Sequence, residues 1–362
     1  MPPAYATELQ TVWNALDDMK QTRVAWDCGT TGVGVLVSDS LMFERGDPAP
    51  SDGDLNHIYG LALPFLKRGQ PVQPVQLEDA GIPGYLDGFR CLLLTYRGMK
   101  PLTPDVHQSL AEWVKRGGVL AVCDDDGDPF NSVREWWNTN GLHYATPRQH
   151  LFEQLGLAKD EANSSSVGKG RVIWIHRDPA QIAGSPDGDT ALVDAVRTEA
   201  QKMESSAVAH PQWSETNCLV LRRGPYIIAA GLDESIGGAA RTLKGRFINL
   251  FDSELKLQRE VTLSPGTRFV LLDIDVPELA GRVLLAAGCR AVTVKQSAEV
   301  VSIEVEGVAK TPGAALLRAA REPRSVLLSG KPLESVHYDP EQGLLWVRFG
   351  NEASPRELLV QF

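Results

Sequence analysis

Three short stretches of the chain, at 33–37, 90–95 and 119–123, are apolar almost without a break. A strand that is apolar at every position has no face to offer to water. It must be covered on both sides, and the usual solution is a parallel sheet with helices packed against each face. The segments between these runs supply the helices. Residues 55–68 are helix-patterned and close on Gly69. Residues 104–116 follow Thr103, carry Pro104 at the first helical position and Asp105 in the first turn, and stop at Gly117 and Gly118. Further strands are expected at 71–77 and 172–176, with helices around 133–137, 147–156 and 187–204. The serine-rich stretch 163–167 reads as a surface loop. Residues 30–210 therefore read as one flavodoxin-like, doubly wound α/β domain.

The texture changes after residue 213. Short runs with period-two alternation follow one another, separated by turn residues such as Arg223-Gly224-Pro225. Clear examples are Arg290-Ala-Val-Thr-Val-Lys295 and Leu344-Leu-Trp-Val-Arg-Phe349. Residues 211–362 read as an antiparallel β-sandwich. At the other end, residues 1–29 hold one helix and a lead-in. The helix, 7–20, places Leu9, Val12, Trp13, Leu16 and Met19 on one face, and that face needs a partner.

Charge divides the chain at the same place. Residues 1–210 hold 28 acidic and 18 basic side chains, whereas 211–362 hold 18 of each. Neither part has the basic surface that binds nucleic acid or an anionic membrane. No apolar run reaches the roughly 20 residues of a bilayer-spanning helix, and the first residues lack a signal-peptide pattern. Five cysteines without a C-x-x-C pair, four of them in strand-like settings, suit buried thiols in a reducing compartment. A cytoplasmic location is expected.

Gly60-Leu-Ala-Leu-Pro-Phe-Leu-Lys-Arg-Gly-Gln-Pro-Val-Gln-Pro-Val75, Gly88-Phe-Arg-Cys-Leu-Leu-Leu-Thr-Tyr96 and Leu110-Ala-Glu-Trp-Val-Lys-Arg-Gly-Gly-Val-Leu-Ala-Val122 occur in an order that resembles the β-galactosidase trimerisation domain of bacterial glycoside hydrolases. That resemblance implies the amidotransferase-like α/β fold of class I glutamine amidotransferases without their activity. Pro323-Arg-Ser-Val-Leu-Leu-Ser-Gly-Lys-Pro-Leu333, Tyr338-Asp-Pro340 and the 344–349 strand are similar to the sandwich that closes many such hydrolases. In the enzymes that the resemblance points to, a (β/α)₈ barrel precedes this domain and carries the two catalytic carboxylates. Here about one helix precedes it. The implied role is a structural or oligomerisation portion of a glycoside-hydrolase-like protein, with a second copy or a catalytic barrel subunit as partner.

Ligands of doubly wound sheets collect beyond the carboxyl ends of the strands. Those ends carry Asp39, Tyr96, Arg97, Asp124, Asp125, Asp126 and His176. Asp124, Asp126 and Asp128, spaced around Gly127, partly mimic a calcium loop but lack its distal glutamate, and a solvated turn is the alternative. Cys123 ends a strand where amidotransferase-like hydrolases carry their nucleophile, and His143 lies downstream as a base. The three acids after Cys123 oppose both a thiolate and an oxyanion. Trp136 and Trp137 suit either core packing or sugar stacking. Three functions stay open: the assembly module, a cysteine hydrolase using Cys123 and His143, and a carbohydrate-binding module.

Overall fold

The computed structural model describes residues 2–19, 24–42, 55–160, 163–204 and 212–362, and the expected domain boundary at 210/211 lies outside them. The chain forms two compact units. One comprises Cys28–Leu219 with Glu234–Gly238, and the other Met1–Asp27, Val220–Asp233 and Ala239–Phe362.

The first unit is α/β. Its strands are β1 (Val33–Val37), β2 (Val72–Gln76), β3 (Cys91–Leu94), β4 (Val119–Cys123), β5 (Ser164–Val167) and β6 (Gly170–Ile175). Its helices are α1 (Asn56–Leu66), α2 (Asp105–Arg116), α3 (Pro147–Leu155), α4 (Pro179–Ala183) and α5 (Pro186–Glu204). The sheet order is β2-β1-β3-β4-β6-β5, and every pairing is parallel except that of β5 with β6. The order reverses between β1 and β3, which makes that crevice the topological switch point.

Alternation along each strand feeds two cores. Leu92, Leu94, Leu120 and Val122 pack with Leu110 and Val114 of α2 and Phe152 of α3. Leu93, Val119, Ala121 and Cys123 pack with Leu61 and Phe65 of α1 and Val193 and Val196 of α5. A strand that serves both cores has no polar position, which is why these runs are apolar throughout.

Three local expectations are corrected. The serine-rich stretch is an edge strand, β5, and its polar side chains suit an edge facing water. The segment around 133–137 is not an α-helix but two 3₁₀ turns, Pro129–Ser132 and Trp136–Asn138. Helix α2 begins one residue late, with Pro104 as its N-cap and no side-chain capping bond, so Thr103 is not the cap.

Among its described residues the second unit is all-β apart from one long helix, Pro3–Asp18, and a short 3₁₀ turn. Its strands build antiparallel sheets of six, four and five strands. The four-stranded sheet is a middle layer. Its strand Leu344–Gly350 sends Leu345, Val347 and Phe349 into one core, shared with Ile303 and Leu358 of the five-stranded sheet. The same strand sends Leu344 and Trp346 into the other core, with Ile248 and Leu272 of the six-stranded sheet. The unit is thus a β-sandwich with a third sheet on its back.

The helix Pro3–Asp18 packs on this unit by a different face from the one its sequence suggests. Thr7, Thr11 and Ala15 are buried, while Leu9, Trp13 and Leu16 stay exposed. Of the expected apolar stripe only Met19, just past the helix, is fully buried, and Val12 is partly so.

Candidate functional site

Each expected ligand-edge residue lies at or just beyond the carboxyl end of a parallel strand of the α/β unit, and most of these are engaged by neighbours from the same unit. At the switch point, Ser38 Oγ donates to Glu78 at 2.6 Å and lies 2.8 Å from the Lys100 carbonyl oxygen. Ser40 Oγ donates to the same carbonyl at 2.6 Å, and the Lys100 amide donates back to it. Asp39 is exposed and accepts a hydrogen bond from Gln76 Nε2 at 2.7 Å.

The acidic turn after β4 is tied down carboxylate by carboxylate. Asp124 is buried and accepts the amides of Tyr96 at 2.8 Å and Asp126 at 2.7 Å. Burial pushes its carboxyl up to about 6, against the pull of those two amides. Asp125 pairs with Arg97 at 2.9 Å. Asp126 sits in the left-handed region at φ 57° and meets Arg148 in a fork, Nε to Oδ1 at 2.9 Å and Nη2 to Oδ2 at 2.5 Å. Asp128 accepts Lys100 Nζ at 2.6 Å and the amides of Gly98 and Phe130. Burial alone would raise Asp128, but Lys100 and the two amides outweigh it and hold the carboxyl low.

The three acids of the calcium-loop reading are held apart in this geometry. The oxygens of Asp124, Asp126 and Asp128 point at separate internal donors instead of converging. Among the described residues no group of three or more His, Cys, Asp or Glu side chains could hold a metal ion.

Cys123 is 0% exposed in the core between β4, α1 and α5. Burial, and then the neighbouring Asp124 charge, push its thiol far above the usual cysteine range. His143 is exposed in the loop before α3, and no hydrogen bond joins it to Cys123. His176 is likewise exposed, its ring edge-on to Trp174 at 5.2 Å. Trp137 is buried and donates to the Asn131 carbonyl, and Trp136 donates to the Pro101 carbonyl.

The structure joins residues that no motif or spacing brings together. Tyr96 Oη lies 2.6 Å from His107 Nε2, and His107 Nδ1 lies 2.8 Å from His150 Nδ1. This buried chain links β3, α2 and α3. Burial lowers both imidazoles, and His150 lowers His107 further. A second pair, His57 Nδ1 and Asp178 Oδ1 at 2.9 Å, joins the starts of α1 and α4. Asp178 also caps α4 through the Ala180 amide. The Asp178-Pro179 step is the one sequence signal for this cap. Gly60 makes the pairing reachable, because a Cβ there would lie 1.9 Å from the Pro179 carbonyl oxygen.

The sequence matches no protein-family model and no curated protein. Among solved structures it is similar to a β-galactosidase from Bacillus circulans sp. alkalophilus, at 10% identity over 73% of this chain and 43% of that one, with a TM-score of 0.39. A catalytic mutant of a GH42 β-galactosidase from G. stearothermophilus aligns at 16% identity over 67% of this chain and 40% of that one, TM-score 0.35. A rhamnosidase from Novosphingobium sp. PP1Y aligns at 12% identity over 98% of this chain and 36% of that one, TM-score 0.36. The chain thus spans less than half the length of each of these enzymes. No helix among the described residues is long and apolar enough to cross a membrane.

Proposed function

We infer that the α/β unit is a non-catalytic structural and assembly module of a glycoside-hydrolase-like protein. It would work beside a catalytic barrel or a second copy of itself. One observation carries this reading: the strand-end carboxylates that follow Cys123 are each held by an internal cation or amide. An amidotransferase-type site needs the reverse, a thiolate and free donors for an oxyanion. The glycoside-hydrolase context comes from the order of the 60–75, 88–96 and 110–122 segments. Thiol labelling resolved by peptide mass spectrometry tests the module. Cys123 is expected to react far more slowly than free cysteine at neutral pH. Rapid labelling, together with ammonia release from glutamine, would end the reading.

A second reading, carbohydrate contact, is favoured by a groove beside the switch point. It has a volume of about 280 Å³ and offers Leu102, Phe130 and Val133 as an apolar wall, with Glu135 on its rim. Phe130 is 41% exposed and could stack on the flat face of a sugar ring. Oligosaccharide titration of the wild type and Phe130→Ala, read by tryptophan fluorescence, decides it. Identical, flat titrations remove it.

A further inference from the structure

The Tyr96–His107–His150 chain admits one arrangement of protons. Tyr96 is buried, and among the described residues His107 Nε2 is the one acceptor its hydroxyl meets, at 2.6 Å. A phenol that accepted there would leave its own proton buried without a partner, so Tyr96 donates. His107 then carries its proton on Nδ1 and donates it to Nδ1 of His150, 2.8 Å away. His150 accordingly carries its proton on Nε2, the outer nitrogen, which lies 3.4 Å from the Gln154 side-chain amide.

Two contacts hold two protons, and a third has no place. Set on His150 Nδ1, it would put N–H against N–H across 2.8 Å. Passing it inward reverses both bonds and strips the Tyr96 proton of its acceptor. Either way a buried charge is added and a buried hydrogen bond is lost. The surroundings do little to offset this. His107 is 0% and His150 8% exposed, and the Trp136 ring stands T-shaped to the two imidazoles at 5.6 Å and 5.2 Å. The Tyr144 ring lies 5.1 Å from His150. Burial lowers His150, and Glu153 on the same helix pulls the other way, but that carboxylate already accepts Tyr144 Oη at 2.9 Å. Burial, then Asp124 and Glu78, raise the Tyr96 phenol, so it keeps its proton.

We propose that this chain is a proton-operated latch between α2 and α3: a proton taken up by His150 breaks its bond to His107 and lets the first turn of α3 open to water. His150 is the outermost member of the chain. Two residues before it on α3 stands Arg148, which holds Asp126, so the latch reaches the acidic turn at the strand ends. Acid would loosen α3 and the 124–128 turn together. The closed contact refuses the proton and the open one accepts it, so the latch is shut above about pH 6.5 and yields as pH falls below it. One imidazole that regains its ordinary value of about 6.5 only on opening raises the open population about tenfold between pH 7.5 and 5.5.

The full chain, labelled with ¹⁵N-histidine, reports the tautomers directly. At pH 7.5 His107 should be protonated on Nδ1 and His150 on Nε2, assigned by cross-relaxation with the Tyr96 and Tyr144 rings. Hydrogen exchange at pH 7.5 and 5.5, corrected for the intrinsic rate, should show about a tenfold loss of protection in peptides of α3 and the 124–128 turn, with β1 and β2 unchanged. In His150→Gln the side-chain carbonyl can accept from His107 and takes up no proton, so α3 should stay protected at both pH values. His107 protonated on Nε2, α3 protection indifferent to pH, a loss shared equally by β1 and β2, or the same loss in His150→Gln each overturns the proposal. The tautomers and the wild-type exchange decide it alone if the variant does not fold.

Discussion

If the acidic turn is held as a structural element, its strength should reside in the Asp126–Arg148 fork. Arg148 is 1% exposed, while its partner's side chain is 25% exposed. The guanidinium also donates Nη1 to the Lys159 carbonyl at 2.8 Å and lies 4.7 Å and 4.1 Å from the ring centres of Phe152 and Trp174. Arg148→Met keeps the apolar stem and removes all of this. Breaking a fully buried pair costs about 3–5 kcal/mol, but water can reach Asp126 and offset part of that, while each lost ring contact adds up to about 1 kcal/mol. The expected total is about 3 kcal/mol. Asp126→Asn retains an acceptor and a residue type that tolerates left-handed backbone, yet strands a buried cation, so it should cost about 2–3 kcal/mol. If the pair acts as a unit, the double variant costs little more than Arg148→Met alone, a coupling of about 2 kcal/mol. Hydrogen exchange in urea, read on β4 and β6 peptides, reports the stability of this unit by itself. Costs that simply add, with coupling under about 0.5 kcal/mol, would refute the view that the turn is pinned by this pair.

Three further outcomes follow from the same geometry. Gly60→Ala should gain about 1 kcal/mol of helix propensity yet lose more, about 1–3 kcal/mol, by driving a methyl into the Pro179 carbonyl. Thermal unfolding should show the net loss, and ¹⁵N shifts of His57 should show its Nδ1 released from Asp178. His107 and His150 are both held below the ordinary value of 6.5, so they contribute stability that is present above pH 6.5 and lost as pH falls below it. Asp124, raised to about 6, acts oppositely, its contribution lost as pH rises from about 4 through 6. Wild type minus His150→Gln cancels the Asp124 part, and urea midpoints from pH 7 to 5 should show a flatter slope in the variant.

The α/β unit was legible because its strands are buried on both faces, and unbroken apolar runs leave few other folds. The strand ends followed from topology, and with them the positions of Tyr96, Arg97 and Asp124. What those residues do was not legible. The cations that neutralise the acidic turn, Arg97, Lys100 and Arg148, lie about two dozen residues away in either direction, and no periodicity announces a pairing through space. The Pro3–Asp18 helix misled for a related reason. A pattern shows which side of a helix is apolar, but not which side a particular sheet can accept, and here close approach favours threonine and alanine. Strand β5 was hidden by its serines, which an edge strand tolerates and a central strand does not.

The four-stranded layer of the all-β unit has a consequence for how this protein can be cut or recombined. Its strands contribute alternate side chains to two separate cores, so neither neighbouring sheet owns it. Removing everything after about residue 280 would strip the six-stranded sheet of its lid, and removing the first 275 or so would bare the back of the sandwich. A designer seeking a minimal fragment would have to rebuild one side of the middle sheet as a polar surface before either half could stand alone.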